Sequence, residues 1–388
     1  MNEHPSPILK EATVFASGDP NAPSTWSNIP HFLVETLRQS QVRVNTVNLA
    51  PSRLLKRTYD ALVRLPLRLA QPKSAYAYFR TPVHEWDVSR RIGEAVRAYP
   101  ASQLNLFLTF TFTGSRHSAV PSVQICDWPF EYHVRHFLQQ EPTFLEREAI
   151  RRERRNMEDS RLVVSLFPGI AKYLSSQYPS ARSIYLGHVI NTTRTPSEQM
   201  LIMKEESQDV LFIGGPHYRK GAQHLVEAFG QLKANHPAMS LHLVGMTEHQ
   251  VGRGGPGVSC YGYLDKGKPA DAAKYYELIQ CARVIVNPTP KWGGFSSLVE
   301  AMYFYTPVVA APYGEFVETF GNELPFGFYC HDNSVPSLSF ALENAISAEG
   351  YRERCLSAHR AARPHTWNAF VEKLMDRLGF RMPTSAEG

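Results

Sequence analysis

The sequence predicts an α/β protein built from two doubly wound domains that face each other across a cleft. Three observations support this prediction. Short apolar segments typical of buried strands alternate with helical segments in both halves of the chain. A polar stretch with few strand-forming residues, Asn191 to Gln208, separates the halves and is interpreted as a linker. Glycine-containing loops follow strands directly, as they do at the ligand-binding edge of a parallel sheet.

The first half opens with a strand, a helix and a second strand. The strands are predicted over Ala12 to Ala16 and Val42 to Leu49, and the helix over His31 to Gln39. Gly18 lies in the loop after the first strand, where the carboxyl edge of the sheet faces a ligand. A plain surface loop is the alternative interpretation.

The rest of the first half continues the alternation. Helices are predicted over Val88 to Tyr99, Glu141 to Ser160 and Pro168 to Gln177, and strands over Leu104 to Phe112, Ser122 to Cys126, Arg161 to Leu166 and Ser183 to Leu186. The helix from Glu141 interleaves glutamate with arginine, which indicates a solvated face, with contact to an acidic acceptor as the alternative.

A basic and apolar segment runs from Arg53 to Lys73. Leucines alternate there with lysines and arginines, so the segment is suited to an anionic membrane surface. The alternative is an ordinary packed surface helix that is kinked near Pro66.

The second half repeats the pattern. Strands are predicted over Val210 to Ile213, Ser240 to Val244, Val258 to Tyr261, Arg283 to Asn287 and Val308 to Ala310, and helices over Gln223 to Asn235, Ala272 to Gln280, Val335 to Ser347 and Thr366 to Leu378. The predicted domains are residues 1–190 and 209–365, with a linker at 191–208 and a closing helix and tail at 366–388.

Composition excludes several classes of protein. The net charge of +5 is too small to indicate a nucleic-acid partner, and no basic and aromatic reader motif is present. The five cysteines are scattered without a CxxC pair, which favours reduced thiols in the cytoplasm over a metal knuckle or disulfide framework. No apolar run is long enough to span a bilayer, and no signal peptide is expected at the N-terminus.

The stretch from Arg283 to Met302 combines a strand, a glycine pair and a helix. The first-turn N–H groups of a helix have no intrahelical acceptor and its dipole is positive there, so a phosphate is stabilised at this position. Ser296 and Ser297 can add hydroxyl donors, and Glu300, one turn further on, can accept hydrogen bonds from a ribose diol. These residue types indicate a nucleotide, although many strand–glycine–helix junctions bind nothing.

A second candidate anion site follows the strand that ends at Ile213. Gly214 and Gly215 precede a loop that leads to Arg219 and Lys220 at the start of a helix. Two cations after a glycine pair suit a diphosphate, although such a pair is usually solvent-exposed.

Together these motifs resemble a retaining glycosyltransferase of the GT-B fold, in the GT4 family (glycosyl transferases group 1). The motifs are FIGG…RKGAQHLVEAF, YGYLDKGKPADAAKYYELIQCARVIVNPT and GGFSSLVEAMYFYTPVVAAPYGEFVE, with SGDPNAPSTWSNIPHFL in the first half and HTWNAFVEKL at the end. The resemblance implies two Rossmann-like domains and a C-terminal helix that crosses back to the first domain. It covers the second half well and the first half more loosely.

The resemblance also implies roles for individual residues. Arg219 and Lys220 match the family's diphosphate cations, and Glu300 matches the second glutamate of its E-x7-E motif, on the ribose. Trp292 stands at the first glutamate's position. The full set of donor-binding residues that this implies is Gly18, Gly215, Arg219, Lys220, Tyr263, Trp292, Gly294, Phe295, Ser296, Ser297 and Glu300.

Asp127 stands where the family often carries a histidine beside the donor sugar. A carboxylate there could stabilise oxocarbenium-like charge or bind the acceptor, and a strand-end cap is the alternative. The catalytic residues expected from the sequence are therefore Asp127, Arg219 and Lys220.

The expected function is transfer of a sugar from a nucleotide-diphosphate sugar to a glycan, a lipid-linked or another hydroxyl acceptor, in bacterial surface polysaccharide or glycoconjugate synthesis. No cofactor, metal or nucleic acid is expected. The protein is expected in the cytoplasm, and the segment from Arg53 is the basis for a peripheral contact with the inner face of the membrane. Two alternatives stay open: a catalytically degenerate protein that binds nucleotide or glycan as a scaffold, and a nucleotide-sugar epimerase of the same fold.

Overall fold

The computed structural model of the chain describes residues 6–64, 73–252, 254–290, 295–332 and 334–383. The chain divides into two compact units. The first includes the chain up to Gly187 and again from Phe370, and the second is His188–Ala369.

The first unit is organised around a six-stranded parallel sheet with the order β2-β1-β3-β4-β5-β6. The strands are β1 Glu11–Ala16, β2 Arg43–Asn48, β3 Leu104–Phe107, β4 Ser122–Cys126, β5 Leu162–Ser165 and β6 Ser183–Tyr185. Every residue of β1 is buried, because helices cover both faces of a parallel sheet. The ring of Phe15 in β1 stacks on Phe107 in β3, with their centroids 4.4 Å apart.

Among the described residues, six α-helices belong wholly to the first unit. They are α1 Ile29–Gln39, α2 Arg53–Tyr59, α3 Pro82–Ala98, α4 Phe130–Tyr132, α5 Phe144–Glu158 and α6 Pro168–Gln177. Helix α3 begins six residues before the prediction, because the Thr81 side chain accepts a hydrogen bond from the N–H of His84 and Pro82 occupies the first turn. In contrast, β3 ends at Phe107, five residues earlier than predicted.

The second unit holds another six-stranded parallel sheet, with the order β12-β11-β10-β7-β8-β9. Its strands are β7 Asp209–Ile213, β8 Ser240–Val244, β9 Val258–Cys260, β10 Val284–Asn287, β11 Val308–Ala310 and β12 Gly327–Tyr329. The sequence did not indicate β12, which is short and begins with a glycine. A β-carbon at Gly327 would overlap the carbonyl oxygen of Val308, so this edge strand depends on glycine.

The helices of the second unit pack against both faces of its sheet. They are α7 Gln199–Glu206, α8 Arg219–Asn235, α9 Glu248–Val251, α10 Pro269–Cys281, α11 Phe295–Tyr303, α12 Gly314–Phe320, α13 Val335–Ile346 and α14 Tyr351–Ala362. The final helix, α15 Trp367–Leu378, begins in the second unit, and its residues from Phe370 belong to the first. This is the crossover helix that the family resemblance implies.

The segment predicted as a linker, residues 191–208, contains helix α7. Lys204 in this helix is fully buried, and its ammonium group donates to Ile279 O at 2.9 Å, Ala282 O at 3.0 Å and Thr306 Oγ1 at 2.7 Å. Burial lowers the pKa of Lys204 to about 7. The polar composition of the segment concealed this interior contact.

Two six-stranded parallel sheets flanked by helices confirm the predicted doubly wound α/β class. Within the ranges that the structure describes, no helix is both long enough and apolar enough to cross a membrane. The predicted basic segment from Arg53 is described as helix α2 and a π-helical turn, Asp60–Arg64, and its part at 65–72 lies outside the described residues.

Candidate functional site

The topology of the second sheet places one position at its centre where a ligand is expected. Strands β7 and β10 are neighbours, and the chain continues from β7 to one side of the sheet and from β10 to the other. Ligands of open α/β sheets bind outside the carboxyl ends of the strands at such a switch point. Helices α8 and α11 follow these two strands, so both helix N-termini face this edge.

Close contacts bring the two loops of the switch point together. The Ser297 hydroxyl at the start of α11 donates to the carbonyl oxygen of Ile213 at the end of β7, at 3.2 Å. A β-carbon at Gly221 in α8 would lie 2.6 Å from Thr289 Oγ1, in the loop after β10. The first turn of α8 therefore packs directly against the β10 loop, which requires glycine.

The two predicted cations lie at the N-terminus of α8. Arg219 and Lys220 are exposed, and neither forms an ion pair with any described residue. Cations are unfavourable at a helix N-terminus, where the dipole is already positive. An anionic ligand would relieve this repulsion, so the pair suits a diphosphate better than it suits a helix without a ligand.

The hydroxyls of the α11 N-terminus have protein partners. Ser296 Oγ lies 2.7 Å from Nε2 of His188, whose ring packs edge-on against Phe295 with a centroid distance of 4.9 Å. Ser297 donates to Ile213 as described above. The sequence suggested that these hydroxyls are donors to phosphate, whereas in this structure they bind residues of the second unit.

Glu300 lies one turn inside α11 and is buried, with 4% of its surface exposed. Its oxygens accept from Lys266 Nζ at 2.6 and 2.8 Å and from the Tyr275 hydroxyl at 2.9 Å. The ammonium of Lys266 also lies 4.3 Å from the centre of the Tyr275 ring. Burial and the nearby Glu300 carboxylate raise the pKa of Tyr275 well above its usual range.

Sequence reasoning missed Lys266 and Tyr275. Both residues lie within the YGYLDKGKPADAAKYYELIQ motif, but the pattern does not show which lysine or tyrosine turns toward α11. The only available signal was the presence of a buried glutamate, since a buried carboxylate needs a cation or hydrogen-bond donors.

Two further polar groups at the end of β10 have no hydrogen-bond partner among the described residues. They are the side-chain amide nitrogen of Asn287, which is 1% exposed as a residue, and the hydroxyl of Thr289. Buried polar groups are normally paired, so these two groups are available to a ligand or to water at the switch point.

The remaining predicted donor-binding residues of the second unit differ in their surroundings and exposure. A β-carbon at Gly215 would meet open space, so this glycine leaves room beside the cations. Tyr263, after β9, is 80% exposed and can stack on a ligand. Trp292 and Gly294 lie outside the described residues.

In the first unit, Gly18 follows β1 and has a φ of +145°. A β-carbon there would lie 2.7 Å from Thr25 Cγ2, so the fold of the loop itself requires glycine. The same loop ends in three consecutive non-glycine residues with positive φ: Trp26 at 36°, Ser27 at 53° and Asn28 at 70°. Such conformations are strained and persist where surrounding contacts hold them.

Asp127 lies directly after β4 in the same unit. Burial raises the pKa of its carboxyl group to about 7, and a hydrogen bond with the Trp26 side chain opposes that rise. A carboxyl group with this pKa can hold or accept a proton near neutral pH. The structure therefore places Asp127 beside the strained loop after β1, as part of the first unit.

The described residues contain no group of three or more His, Cys, Asp or Glu side chains placed to hold a metal ion. The polar groups described above instead suit an anion with hydroxyl groups. Arg219 and Lys220 supply positive charge, Glu300 supplies acceptor oxygens, and Asn287 supplies a donor.

Comparisons with known proteins agree with this geometry. Residues 207–347, which contain β7 to β12 with α8 and α11, match the family model described as glycosyl transferases group 1. No significant match was found among curated protein sequences.

Solved structures match over nearly the whole chain. Sucrose-phosphate synthase from Thermosynechococcus elongatus is 16% identical, with a TM-score of 0.63 over 95% of this chain and 99% of that chain. Anabaena HepE in complex with UDP-glucose is 14% identical, with a TM-score of 0.61 over 95% and 99%. A glycosyltransferase from Rickettsia africae is 12% identical, with a TM-score of 0.59 over 95% and 97%.

At these identities the similarity to solved structures establishes the fold alone. The chain therefore has the GT-B fold, and its residues 207–347 match the family model of glycosyl transferases group 1.

Proposed function

We propose that the protein is a retaining glycosyltransferase that takes a sugar from a nucleotide-diphosphate sugar and acts without a metal ion. The observation that carries this proposal is the pair of unpaired cations, Arg219 and Lys220, at the N-terminus of α8 beside the switch point. Their domain is the one that matches the family model. The HepE complex with UDP-glucose makes a uridine-diphosphate sugar the first donor to test.

In the proposed reaction the acceptor hydroxyl oxygen forms a bond to the anomeric carbon as the bond from that carbon to the diphosphate oxygen breaks. The departing diphosphate gains negative charge, which Arg219, Lys220 and the dipoles of α8 and α11 stabilise. The acceptor's proton passes to the departing phosphate oxygen, so a separate protein base is not needed. Bond formation and cleavage on the same face retain the anomeric configuration.

Glu300 is proposed to bind the ribose of the donor. Its oxygens already accept three hydrogen bonds from Lys266 and Tyr275, but a carboxylate has about four lone-pair positions, so one ribose hydroxyl can be added to the contacts present. Lys266 then has a positioning role: it neutralises the buried carboxylate and fixes its orientation for the diol. Trp292, at the position of the motif's first glutamate, is proposed to lie against the donor sugar.

The first unit is proposed to hold the acceptor, a glycan, a lipid-linked or another hydroxyl compound, with Asp127 as the group that binds its hydroxyl. Partial burial of Asp127 and its near-neutral pKa support this role. We propose that the reaction takes place in the cytoplasm, in the synthesis of bacterial surface polysaccharide or glycoconjugates.

A second candidate is a binding protein that has lost transfer activity. The observation that favours it is that Trp292 stands at the position of the motif's first glutamate and Asp127 at the position of the histidine beside the donor sugar. Such a protein would bind the nucleotide as a scaffold without releasing sugar.

The test is NMR spectroscopy of the protein incubated with nucleotide sugars and the metal chelator EDTA. The proposal predicts slow release of sugar with its original anomeric configuration and equal rates with and without EDTA. Inversion of the configuration, or loss of activity with EDTA, would contradict the proposed mechanism. Nucleotide binding without any sugar release would support the scaffold candidate.

A further inference from the structure

The first unit carries most of the large apolar side chains that the described residues expose to solvent. Nine of the thirteen belong to it: Leu54, Leu55, Leu62, Val63, Phe79, Val83, Trp86, Leu138 and Phe144. We call these nine residues the apolar surface. Leu54, Leu62 and Trp86 are 74%, 70% and 69% exposed, so their apolar area is largely in water. Clustered apolar exposure of this kind marks an interaction site.

Three of the segments that carry the apolar surface, those of Leu54, Leu138 and Phe144, adjoin one core cluster, which indicates that they are neighbours. The cluster contains Tyr59 at the end of α2, Tyr76, Phe130, Val134 and Leu145 in α5, among others. The rings of Tyr59 and Tyr78 lie 5.5 Å apart, which places α2 beside the short turn that leads into α3. The ring of Tyr78 also lies 5.2 Å from that of His84 in α3, so the start of α3, with Val83 and Trp86, adjoins the same region of the first unit.

Further contacts tie the remaining segments to the same centre. The buried Glu146 of α5 accepts from the Ser74 hydroxyl at 3.1 Å and the Ala75 N–H at 2.7 Å. The side chain of Gln140 donates to Lys73 O at 3.0 Å. Residues 73–75 and 138–146 consequently lie against each other, which brings Leu138 and Phe144 into the same surface.

Helix α2 adds positive charge to the apolar surface. Arg53, Lys56 and Arg57 are exposed, and no described residue forms an ion pair with them. Helix α2 contains no acidic residue between Arg53 and Tyr59. Neighbouring carboxylates are neutralised: Glu85 pairs with Arg152 at 2.5 Å, and Asp87 pairs with arginines of α3. The surface is thus apolar and cationic.

We propose that the apolar surface docks the first unit onto an anionic lipid bilayer. Leucine, tryptophan and phenylalanine enter the boundary between headgroups and acyl chains, while lysine and arginine bind the anionic headgroups. A second copy of this chain fits less well, because a symmetric interface would bring the cations of one α2 against those of the other. This proposal goes beyond the transfer reaction and does not depend on it.

The experiment measures co-sedimentation of the full chain with vesicles, without any nucleotide or acceptor. One vesicle is pure phosphatidylcholine, and the other contains phosphatidylglycerol as about a third of its lipid. The proposal predicts binding to the anionic vesicle, with weaker binding in high salt. If the same fraction of the protein sediments with the anionic vesicle as with the phosphatidylcholine vesicle, the proposal is overturned.

Two variants and a matched control locate the contact. The charge variant is Arg53→Gln, Lys56→Gln and Arg57→Gln, and it should lose about fivefold in affinity for each cation removed. The apolar variant is Leu54→Ser, Leu62→Ser and Trp86→Ser, and it should lose at least ~10-fold. The control is Phe340→Ser in α13, an aromatic residue that is 72% exposed in the second unit, and it should bind as the wild type does.

Circular dichroism checks that each variant keeps its fold. If wild-type and folded variants bind anionic vesicles equally, the contact lies elsewhere and the proposal is wrong. If sedimentation velocity instead shows a dimer that only the apolar variant dissociates, a second copy occupies the surface. A failed transfer assay would leave the vesicle result unchanged, so the two proposals can fail separately.

Discussion

At the residue scale, the chemistry of the candidate site depends on the burial and the hydrogen-bond partners of two carboxyl groups, those of Glu300 and Asp127. Glu300 is buried against a lysine and a tyrosine, whereas Asp127 is partly buried with the indole of Trp26 as a hydrogen-bond partner. The ammonium of Lys266 pairs with the buried Glu300, while desolvation raises the pKa of Asp127 and so favours its protonated form. The two residues are therefore suited to different tasks, one as a fixed acceptor and the other as a group that exchanges protons.

Lys266→Met should destabilise the protein and weaken nucleotide binding. The substitution keeps the volume of the side chain but leaves the Glu300 carboxylate buried without its cation, which typically costs about 3–5 kcal/mol. Because Lys266 keeps some exposure, we expect a loss of about 2–4 kcal/mol in unfolding free energy, measured by urea denaturation. The control is Lys268→Met, two residues further on and exposed, which should change stability by less than about 0.5 kcal/mol. Equal losses in both variants would show that the ion pair contributes nothing.

Asp127→Asn should raise stability, and the gain should depend on pH. The pKa of Asp127 rises from an ordinary value of 3.8 to about 7 in the folded protein, so folding disfavours the charged form. Its contribution to stability is therefore fully present below about pH 4 and is lost as pH rises through about 7. The melting temperatures of the variant and the wild type should agree near pH 4, diverge in favour of the variant as the pH rises to about 7, and stay apart above it. A difference that stays constant with pH would contradict the shifted pKa.

The sequence allowed some of these residues to be predicted but not their partners. Glu300 could be placed one turn inside a helix because the strand, the glycine pair and the apolar spacing identify the helix start. Lys266 could not be assigned to it, because the two residues are 34 positions apart and the segment between them contains a helix and a strand whose packing decides which side chains meet. The strained turn at Trp26 could not be predicted either, since local patterns do not indicate positive φ for a tryptophan.

At the element scale, the ends of β7 and β8 approach so closely that they need glycine. Gly245, after β8, has a φ of +97°, and a β-carbon there would lie 2.5 Å from the carbonyl oxygen of Gly214. Gly214 begins the loop before α8, so this contact sets the position of the loop that leads to Arg219 and Lys220 at the start of the helix.

Gly245→Ala should therefore cost more stability than Gly252→Ala. Both glycines have positive φ, but a β-carbon at Gly252, φ +86°, would meet open space. Gly252→Ala should cost only backbone strain, roughly 1–3 kcal/mol, and should leave nucleotide affinity unchanged. Gly245→Ala adds a backbone overlap and should also weaken nucleotide binding, as chemical denaturation and calorimetry would show. Equal effects would mean that the approach of the β7 and β8 ends does not position the loop.

Elements with strong periodicity or clear caps were predicted well. Strand β4 and helix α6 match the prediction at both ends, because Pro168 occupies the start of α6 and apolar Val123 and Ile125 alternate with polar residues in β4. Helices α12 and α14 were not predicted; the buried face of α14 includes the small residues Cys355, Ala358 and Ala362, which give a weak apolar signal. Helix α7 was missed because a buried lysine makes its segment look polar.

At the scale of the whole molecule, the sequence indicated two doubly wound units because strand and helix patterns alternate twice. The order of the strands and the switch points could not be obtained from local patterns, because these depend on which strands pair across the sheet. The family resemblance supplied the crossover helix, which the division of the chain into units confirms. The apolar surface was predicted only for the Arg53 segment, because Phe79, Trp86 and Phe144 lie on other elements, which tertiary contacts bring beside α2.

The central claim is that the second unit binds a nucleotide diphosphate between the N-termini of α8 and α11. Isothermal titration calorimetry with UDP-, GDP-, ADP- and TDP-sugars tests this claim most directly, using wild type, Glu300→Gln and the double variant Arg219→Gln with Lys220→Gln. We expect saturable binding of one nucleotide by the wild type. The double variant should lose at least ~100-fold in affinity, since charge-assisted contacts to phosphate contribute about 1.5–3 kcal/mol each. Glu300→Gln should lose about tenfold, through its contact to the ribose. No binding by any nucleotide, or equal affinity in all three proteins, would contradict the claim.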